Sequence, residues 1–452
     1  MVNTELERMS TALHKMRARV LLDNLFSLRP SRWKSSQVMK EALRDTLDDE
    51  ATLYVHWPYC ARRCTYCNFN KYISKSVEHT RMADCLAKET STLLQLSGVS
   101  RVKSIFFGGG TPSLALPSTV GKVIDTVADH VTFTEGSEVT LEANPTHLAI
   151  GKLKDFQHVG VNRLSVGVQA LNTEDLKLLG RDHSVTEALR CVEAAKCVFP
   201  EHVSVDLMFG RPGQSVEAWR KELHQVIDMD VNHVSLYQLT VERGTQLFKW
   251  VDSGHVTVPD NDTMADMYIA AVELLEAHGL ERYEVSNFAK QGSESKHNQA
   301  YWQGSQYIGV GPGAHGRFIP VTKQQANNGQ HGREARIQTL EPDNWMFEVE
   351  KFGHATRKII SQSTKVRLEE LLCLGLRTRE GVTNVNWSKV IDISYLQSFG
   401  SSERCQQFVE EGLLRFEQSG VRATSKGLLI LDTILPHLLY ELGQLCDNEG
   451  VT

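Results

Sequence analysis

The chain has 452 residues, 41% apolar and 23% charged, with a net charge of −6. That is ample for a buried core and points to two or more domains. The acidic balance offers no overall basic field for nucleic acid, and no apolar run reaches the roughly 18 residues of a membrane span. Nine cysteines are too sparse and uneven for a disulfide framework and suit a reducing compartment.

The first 40 residues differ in charge from the rest. Arg8, Lys15, Arg17, Arg19, Arg29, Arg32, Lys34 and Lys40 stand against Glu5, Glu7 and Asp23. Residues 17–29 mix basic and apolar side chains at helical spacing. This is the composition of a mitochondrial transit peptide, and equally of an ordinary amphipathic N-terminal helix. An acidic patch, Asp45–Glu50, separates this segment from the first strand.

Tyr54-Val55-His56-Trp57 reads as that strand, and behind it come Cys60, Cys64 and Cys67, spaced C-x3-C-x2-C. A [4Fe–4S] cluster normally takes four thiolates. Three within a short loop hold three irons and leave the fourth open to the amino and carboxylate groups of S-adenosylmethionine (SAM). The competing reading is a structural zinc site, which wants a fourth Cys or His at short range. His56 is the one nearby candidate, and it lies within the strand. The spacing, with Tyr66 before the last cysteine, resembles the radical SAM superfamily.

Downstream, strands alternate with helices. Ser74–Ser97 reads as an amphipathic helix, Val102–Phe107 as a buried strand closed by Gly108-Gly109-Gly110-Thr111-Pro112, and Ser118–His130 as a helix. Further strands are Glu138–Glu142, Arg163–Gln169, Val203–Met208 and His233–Gln238, with Val185–Val198 and Ser215–Ile227 helical. Counting the strand at Leu53, six such units imply a parallel sheet of the partial (β/α)6 barrel type. Polar residues stand at or just after strand ends, where barrel enzymes gather their ligand groups. No GxGxxG fingerprint supports nicotinamide or flavin binding. Gly109 and Gly110 permit close backbone approach, Glu142 accepts from ammonium or hydroxyl, Gln169 and Asp206 suit a ribose, and Arg181 answers a carboxylate. Taken singly, each also reads as a turn, a strand cap or an ion pair.

Tyr54–Cys60, Gly108–Ser113, Glu142-Ala143-Asn144-Pro145, Gly167-Val168-Gln169 and Asp206-Leu207-Met208 are similar to the branch that contains oxygen-independent coproporphyrinogen dehydrogenase and the HemW heme chaperones. The similarity spans roughly residues 50–445. It implies a [4Fe–4S] cluster on Cys60, Cys64 and Cys67, and SAM held by Tyr54, Tyr66, Gly109, Gly110, Thr111, Glu142, Gln169, Arg181 and Asp206. The dehydrogenases carry one more cysteine two residues beyond the motif, where this chain has Phe69. That departure is typical of HemW-type sequences.

Lys296–Trp302 contains H-N-x-x-Y-W, a motif associated with heme in the HemW family. By that resemblance His297, Asn298, Tyr301 and Trp302 are the expected heme residues; by spacing alone they read as packing. Imidazole is a common axial ligand of heme iron, and His297 and Tyr301 share a helical face at i, i+4. The glycine-rich stretch Gln306–Gly316 lacks the Lys-Ser/Thr of a P-loop. Its His315 is a second ligand candidate, ranked below a loop role.

Arg333–Glu341 reads as a polar connector. Asn344–Thr356, Leu368–Leu376 and Leu428–Leu442 read as helices, Val409–Phe416 as a helix leading to a strand, and Val421–Gly427 as a β-turn. The expected architecture is an α/β fold: a partial (β/α)6 radical SAM barrel, then a small, mostly helical winged-helix-like C-terminal domain. Its parts are a possible targeting segment at 1–49, the barrel at 50–290, a heme-motif and glycine-rich connector at 291–342, and the C-terminal domain at 343–452. The expected function is a heme chaperone that binds heme, cluster and SAM and serves apo-hemoprotein clients, drawing on an electron donor. The alternative is a radical SAM oxidase of a porphyrinogen. The expected location is mitochondrial, with cytoplasmic as the alternative.

Overall fold

The computed structural model describes residues 49–74, 76–324 and 332–451. The basic targeting segment expected at 1–49 lies, but for Asp49, outside the described residues.

Six strands run parallel and in sequence order: β1 (Glu50–Trp57), β2 (Arg101–Gly109), β3 (Thr132–Ala143), β4 (Arg163–Gln169), β5 (Val203–Phe209) and β6 (His233–Gln238). Helices return the chain between them: α1 (His79–Ser97), α2 (Pro117–His130), α3 (His147–His158), α4 (Thr173–Leu178), α5 (Val185–Val198) and α6 (Val216–Asp228). α7 (Gln246–Asp252) and α8 (Asn261–Ala277) follow β6. The alternation of β1 shows why the layers form. Ala51, Leu53, Val55 and Trp57 join the buried core, while Thr52, Tyr54 and His56 turn to the other face. The helices carry their own stops and starts. α1 ends at Gly98 in the left-handed conformation, and α5 begins with a Ser184–Glu187 capping box.

The sheet does not stop at six strands, nor does it close. β7 (Glu281–Glu284) and β8 (Asn287–Ala289) extend the β6 edge antiparallel. After α9 (Lys296–Trp302), β9 (Gln306–Val310) pairs parallel to β1 on its free side. β10 (His315–Phe318), β11 (Glu334–Gln338) and β12 (Thr356–Ser361) then continue outward as an antiparallel meander. Among the described residues the sheet has twelve strands, in the order β12-β11-β10-β9-β1-β2-β3-β4-β5-β6-β8-β7.

The polar stretch at 333–341 therefore holds strand β11 at Glu334–Gln338 and is not simply a connector. It escapes notice because its ions are paired in place: Arg336 meets Glu334 at 2.7 Å and covers the Phe318 ring at 5.0 Å. The next helix is α10 (Pro342–Phe352), ended by the left-handed Gly353, so Thr356 belongs to β12. Trp345, Met346 and Val349 of α10 pack into the main core, so the break between cores falls after β12 and not at 343.

A second core starts at Leu368 on α11 (Thr364–Gly375) and runs to Cys446. Short helices surround a three-stranded sheet of Val382–Thr383, Leu414–Glu417 and Gly420–Ala423. The last of these is a strand where the sequence reads as a turn, and the final helix is Leu431–Asn448. No helix among the described residues is long and apolar enough to cross a membrane.

Candidate functional site

The cysteine loop leaves β1 at the C-terminal rim of the parallel strands and is fastened at both ends. Gly110 N donates to Trp57 O at 2.7 Å, Thr111 N to Tyr59 O at 2.9 Å, and Tyr72 N to Pro58 O at 2.8 Å. Mid-loop, Thr65 N donates to Leu179 O at 3.0 Å and Leu247 N to Thr65 O at 2.8 Å. At the far end Asn70 Nδ2 donates to Pro312 O at 2.9 Å and to Leu340 O at 3.0 Å. His56 bridges the strand and the loop: Nδ1 meets Tyr54 Oη at 3.0 Å and Nε2 meets Asn70 O at 2.9 Å. With both ring nitrogens engaged, His56 is not a fourth metal ligand.

Cys60, Cys64 and Cys67 line a cavity of about 460 Å³. Tyr66, Gly109, Gly110, Thr111, Glu142, Gln169, Arg181 and Asp206 share its wall. Of the residues assigned to SAM by resemblance, only Tyr54 lies off it, its ring stacked on Phe106 at 6.3 Å. All three cysteines are free thiols. Among the described residues no three or more His, Cys, Asp or Glu side chains converge on a single metal position. A zinc site needs thiolates converging at about 2.3 Å on one point, whereas a cluster gives each thiolate its own iron.

The glycines matter for a reason the sequence did not reveal. A Cβ on Gly109 would lie 2.4 Å from the His56 ring, and one on Gly110 would lie 2.8 Å from Tyr59 O. Gly109 also holds φ at 109°. Side chains are excluded there by the His56 ring on β1 and by the start of the cysteine loop at Pro58 and Tyr59, which press on the end of β2.

Two buried carboxyls face this cavity, with no salt bridge to either among the described residues. Glu142 accepts from Gly109 N at 3.1 Å. Burial pushes its carboxyl up to about 8, with neighbouring Asp206 adding to the rise and the Gly109 amide opposing it. Asp206 accepts from Ser165 Oγ at 2.8 Å, while its Oδ1 is buried without a hydrogen-bond partner. Burial raises Asp206 too, against that hydrogen bond. Uncompensated buried carboxyls are costly and mark a site suited to a cation. SAM carries an ammonium and a sulfonium, and with three thiols beside the carboxyls the donor set fits a cluster and SAM together.

Arg181 is placed differently from expectation. Its Nη1 donates to Cys64 Sγ at 3.3 Å, and its Nη2 donates to Asn144 Oδ1 at 2.7 Å and Gly167 O at 3.0 Å. The guanidinium faces a cysteine sulfur rather than waiting for a carboxylate, with Nε alone unpartnered. Thr111 Oγ1 likewise donates to Cys60 Sγ at 3.4 Å. Hydrogen bonds to cluster sulfurs are among the groups that set reduction potential.

Gln169 has φ at 66°, rare for a side chain other than glycine. Arg211, which carries no signal in the sequence, holds it. Arg211 is 2% exposed and donates from Nη1 to Gln169 O at 3.2 Å and Met208 O at 2.6 Å. Its Nη2 pairs with Glu222 at 2.5 Å and Asp175 at 3.1 Å. An arginine between a glycine and a proline reads as a loop charge, so only the fold shows it tying β4 to β5.

The residues expected to bind heme lie at the other end of the strands. α9 starts at Ser295, and Glu138 at the start of the straight part of β3 accepts from Lys296 N at 3.1 Å and His297 N at 3.2 Å. A carboxylate at a helix N-terminus is favourable. His297 is 1% exposed. Its Nδ1 meets Ser104 Oγ at 2.9 Å, its Nε2 meets Tyr301 Oη at 2.9 Å, and its ring stacks on Phe106 at 5.0 Å. Burial drives its imidazole down to about 3. Trp302 leans on Tyr283 at 5.7 Å. Asn298, Tyr301 and Trp302 are half-buried. The segment packs against β2, and both His297 ring nitrogens are engaged by protein groups.

The class follows from a parallel α/β sheet carrying a three-thiol loop on its C-terminal rim, and comparison agrees. Residues 54–226 match the Radical SAM superfamily and residues 362–430 match the HemN C-terminal domain. The fold resembles the solved structure titled as coproporphyrinogen III oxidase (HemN) from Escherichia coli. The TM-score is 0.69 at 17% identity, covering 94% of this chain and 98% of that one. In sequence, the chain is 51% identical to the Danio rerio protein named radical S-adenosyl methionine domain-containing protein 1, mitochondrial, over 89% of this chain and 90% of that one. It is 33% identical to the heme chaperone HemW of Bacillus subtilis, over 86% and 99%. The chain belongs to the radical SAM superfamily, in the family of the HemW heme chaperones and radical S-adenosyl methionine domain-containing protein 1.

Proposed function

We propose that the chain is a heme chaperone on a radical SAM scaffold, which binds heme and passes it to apo-hemoprotein clients. The observation that carries the reading is the cavity: three thiols, not four, beside two buried carboxyls that burial raises above the ordinary carboxylate range. It stands in a chain whose relatives include proteins named heme chaperones.

Cys60, Cys64 and Cys67 would hold a [4Fe–4S] cluster, with Arg181 and Thr111 donating to Cys64 and Cys60. Glu142 and Asp206 would take the cationic groups of SAM, while Gln169, Gly109, Gly110 and Tyr66 complete its walls. When bound, the cluster supplies single electrons and an iron with a free coordination position. An electron donor would be needed to use it. Phe69, 67% exposed on the cavity wall, supplies neither a thiol ligand nor a transferable hydrogen. That weighs against porphyrinogen oxidation. The names of the vertebrate relatives and the basic N-terminal composition support a mitochondrial location.

The test is anaerobic reconstitution with iron and sulfide, followed by heme transfer to an apo-hemoprotein and, separately, incubation with coproporphyrinogen III, SAM and reductant. Heme transfer without protoporphyrinogen formation is expected. Protoporphyrinogen as product would replace the chaperone reading with an oxidase.

A further inference from the structure

A second cavity, of about 70 Å³, lies between the sheet and the second core, at the opposite end of β1 from the cysteine loop. Glu50 and Gln306, the first residues of β1 and β9, form one side. Arg367 and Glu370, three residues apart on one face of α11, form another. Lys389, at the end of the helix Asn384–Ser388, forms a third. Arg333, one residue ahead of β11, enters from the sheet.

Arg333 is the unusual member. It is 7% exposed, and its Nε is buried without a hydrogen-bond partner. The carboxylate beside it, Glu370, stands 3.8 Å from Nη2, beyond hydrogen-bond reach. Glu370 is already engaged: its Oε1 accepts from Arg317 Nε at 3.1 Å and from Gln362 Nε2 at 2.7 Å. Burial pushes the Arg333 guanidinium down to about 10, with Glu370 opposing and Arg367 adding to the fall, so the group is still a cation at pH 7. A buried cation without an acceptor is costly. The described wall carries Arg333, Arg367 and Lys389 against Glu50 and Glu370, and Arg317 draws on Glu370 from β10. Positive charge is in excess.

We propose that this cavity binds a free oxyanion of the phosphate class, held by Arg333 with Arg367 and Lys389, and that the ion fastens the second core to the sheet. Guanidinium forks match oxyanions two oxygens at a time. Cations arriving from three elements suit an ion with several oxygens and more than one charge better than a flat carboxylate. A cavity of this size has room for several waters or for one such ion, and none for a nucleoside. It shares no lining residue with the cysteine cavity, so its occupation is separate from that of the cluster site.

The experiment is calorimetric titration of inorganic phosphate into the full, cluster-reconstituted chain at constant ionic strength, with thermal melting in parallel. Wild type, Arg333→Met and Lys389→Glu are compared, with chloride and acetate as the screening and carboxylate controls. Saturable binding at one site is expected, with a wild-type melting temperature that climbs with phosphate as mass action requires and not with either control. Arg333→Met is expected to weaken phosphate binding about tenfold or more, the loss of one charged hydrogen bond, and to melt at a temperature that phosphate no longer raises. Lys389→Glu is expected to weaken phosphate binding as well, and both variants are expected to keep wild-type affinity for SAM. Wild-type phosphate affinity in Lys389→Glu or in folded Arg333→Met would overturn the site. A wild type on which phosphate acts no more than chloride or acetate would overturn it too.

Discussion

Arg181 donates to the sulfur of Cys64 at 3.3 Å, and the same guanidinium is pinned by Asn144 and Gly167. With the proposed cluster on Cys64, a cation fixed against that sulfur would stabilise the reduced, more negative state. Arg181→Met removes a charged hydrogen bond worth about 1.5–3 kcal/mol. The midpoint potential should therefore fall by roughly 65–130 mV, a tenfold change in a one-electron equilibrium being 59 mV. Redox titration followed by EPR reads this directly. An unchanged potential would mean that Arg181 is there only to join β4 to the loop after α4.

Glu142 gives the site a pH dependence. Its carboxyl is raised by burial to about 8, so without ligand it is mostly protonated at pH 7 and ionises as pH rises through that value. A cationic ligand prefers the ionised form. SAM affinity should thus increase from pH 7 to pH 9 and binding near pH 7 should release a proton. Calorimetry in buffers of different ionisation enthalpy measures the proton count. Glu142→Gln should bind SAM more weakly and lose the pH dependence; a variant that retains the slope would point to another group.

Glu89 on α1 is fully buried and joins three elements. It accepts from Gly311 N at 2.8 Å, Trp345 Nε1 at 2.9 Å and Ala355 N at 2.8 Å. This ties the helix behind the cysteine loop to the β9–β10 turn and to the segment leading into β12. Glu89→Ala leaves three buried donors unmet, at about 1–3 kcal/mol each. A fall in unfolding free energy of at least about 3 kcal/mol is expected, read by thermal melting of the apo chain. A melting temperature equal to that of the wild type would contradict the assignment.

His297 is expected to behave as a packing residue. Removing its ring opens a cavity against Phe106 and strands Ser104 and Tyr301. A loss of about 2–4 kcal/mol follows from the combined cavity and hydrogen-bond costs. Because burial holds the folded imidazole down near 3, below its unfolded value near 6.5, the wild type itself loses stability as pH falls through about 6.5, so the loss should be smaller at pH 6 than at pH 8, by about 0.8 kcal/mol. A loss that grows on acidification between those values would show a charged imidazole in the native state.

Much of this was legible in the chain. C-x3-C-x2-C, the polar strand ends and the regular strand–helix spacing announce the parallel half of the sheet, because short strand-like runs recur between helical segments as βαβ units require. The meander beyond β9 was not legible, because Glu334 and Arg336 satisfy each other inside the fold and so look like surface residues in the bare sequence. His297 misled for the opposite reason: a ligating residue type at ligand-like spacing says nothing about whether its nitrogens are already taken. Arg211 gave no signal at all, since its partners Gln169, Glu222 and Asp175 are 42, 11 and 36 positions away in sequence.

The central claim is that three thiolates hold a cluster with one iron left for SAM. EPR of the reduced, reconstituted protein, recorded with and without SAM, tests it most directly. The account requires a [4Fe–4S] signal that changes on adding SAM and is lost when Cys60, Cys64 and Cys67 are replaced by alanine. A signal indifferent to SAM, or a colourless protein with stoichiometric zinc, would contradict it.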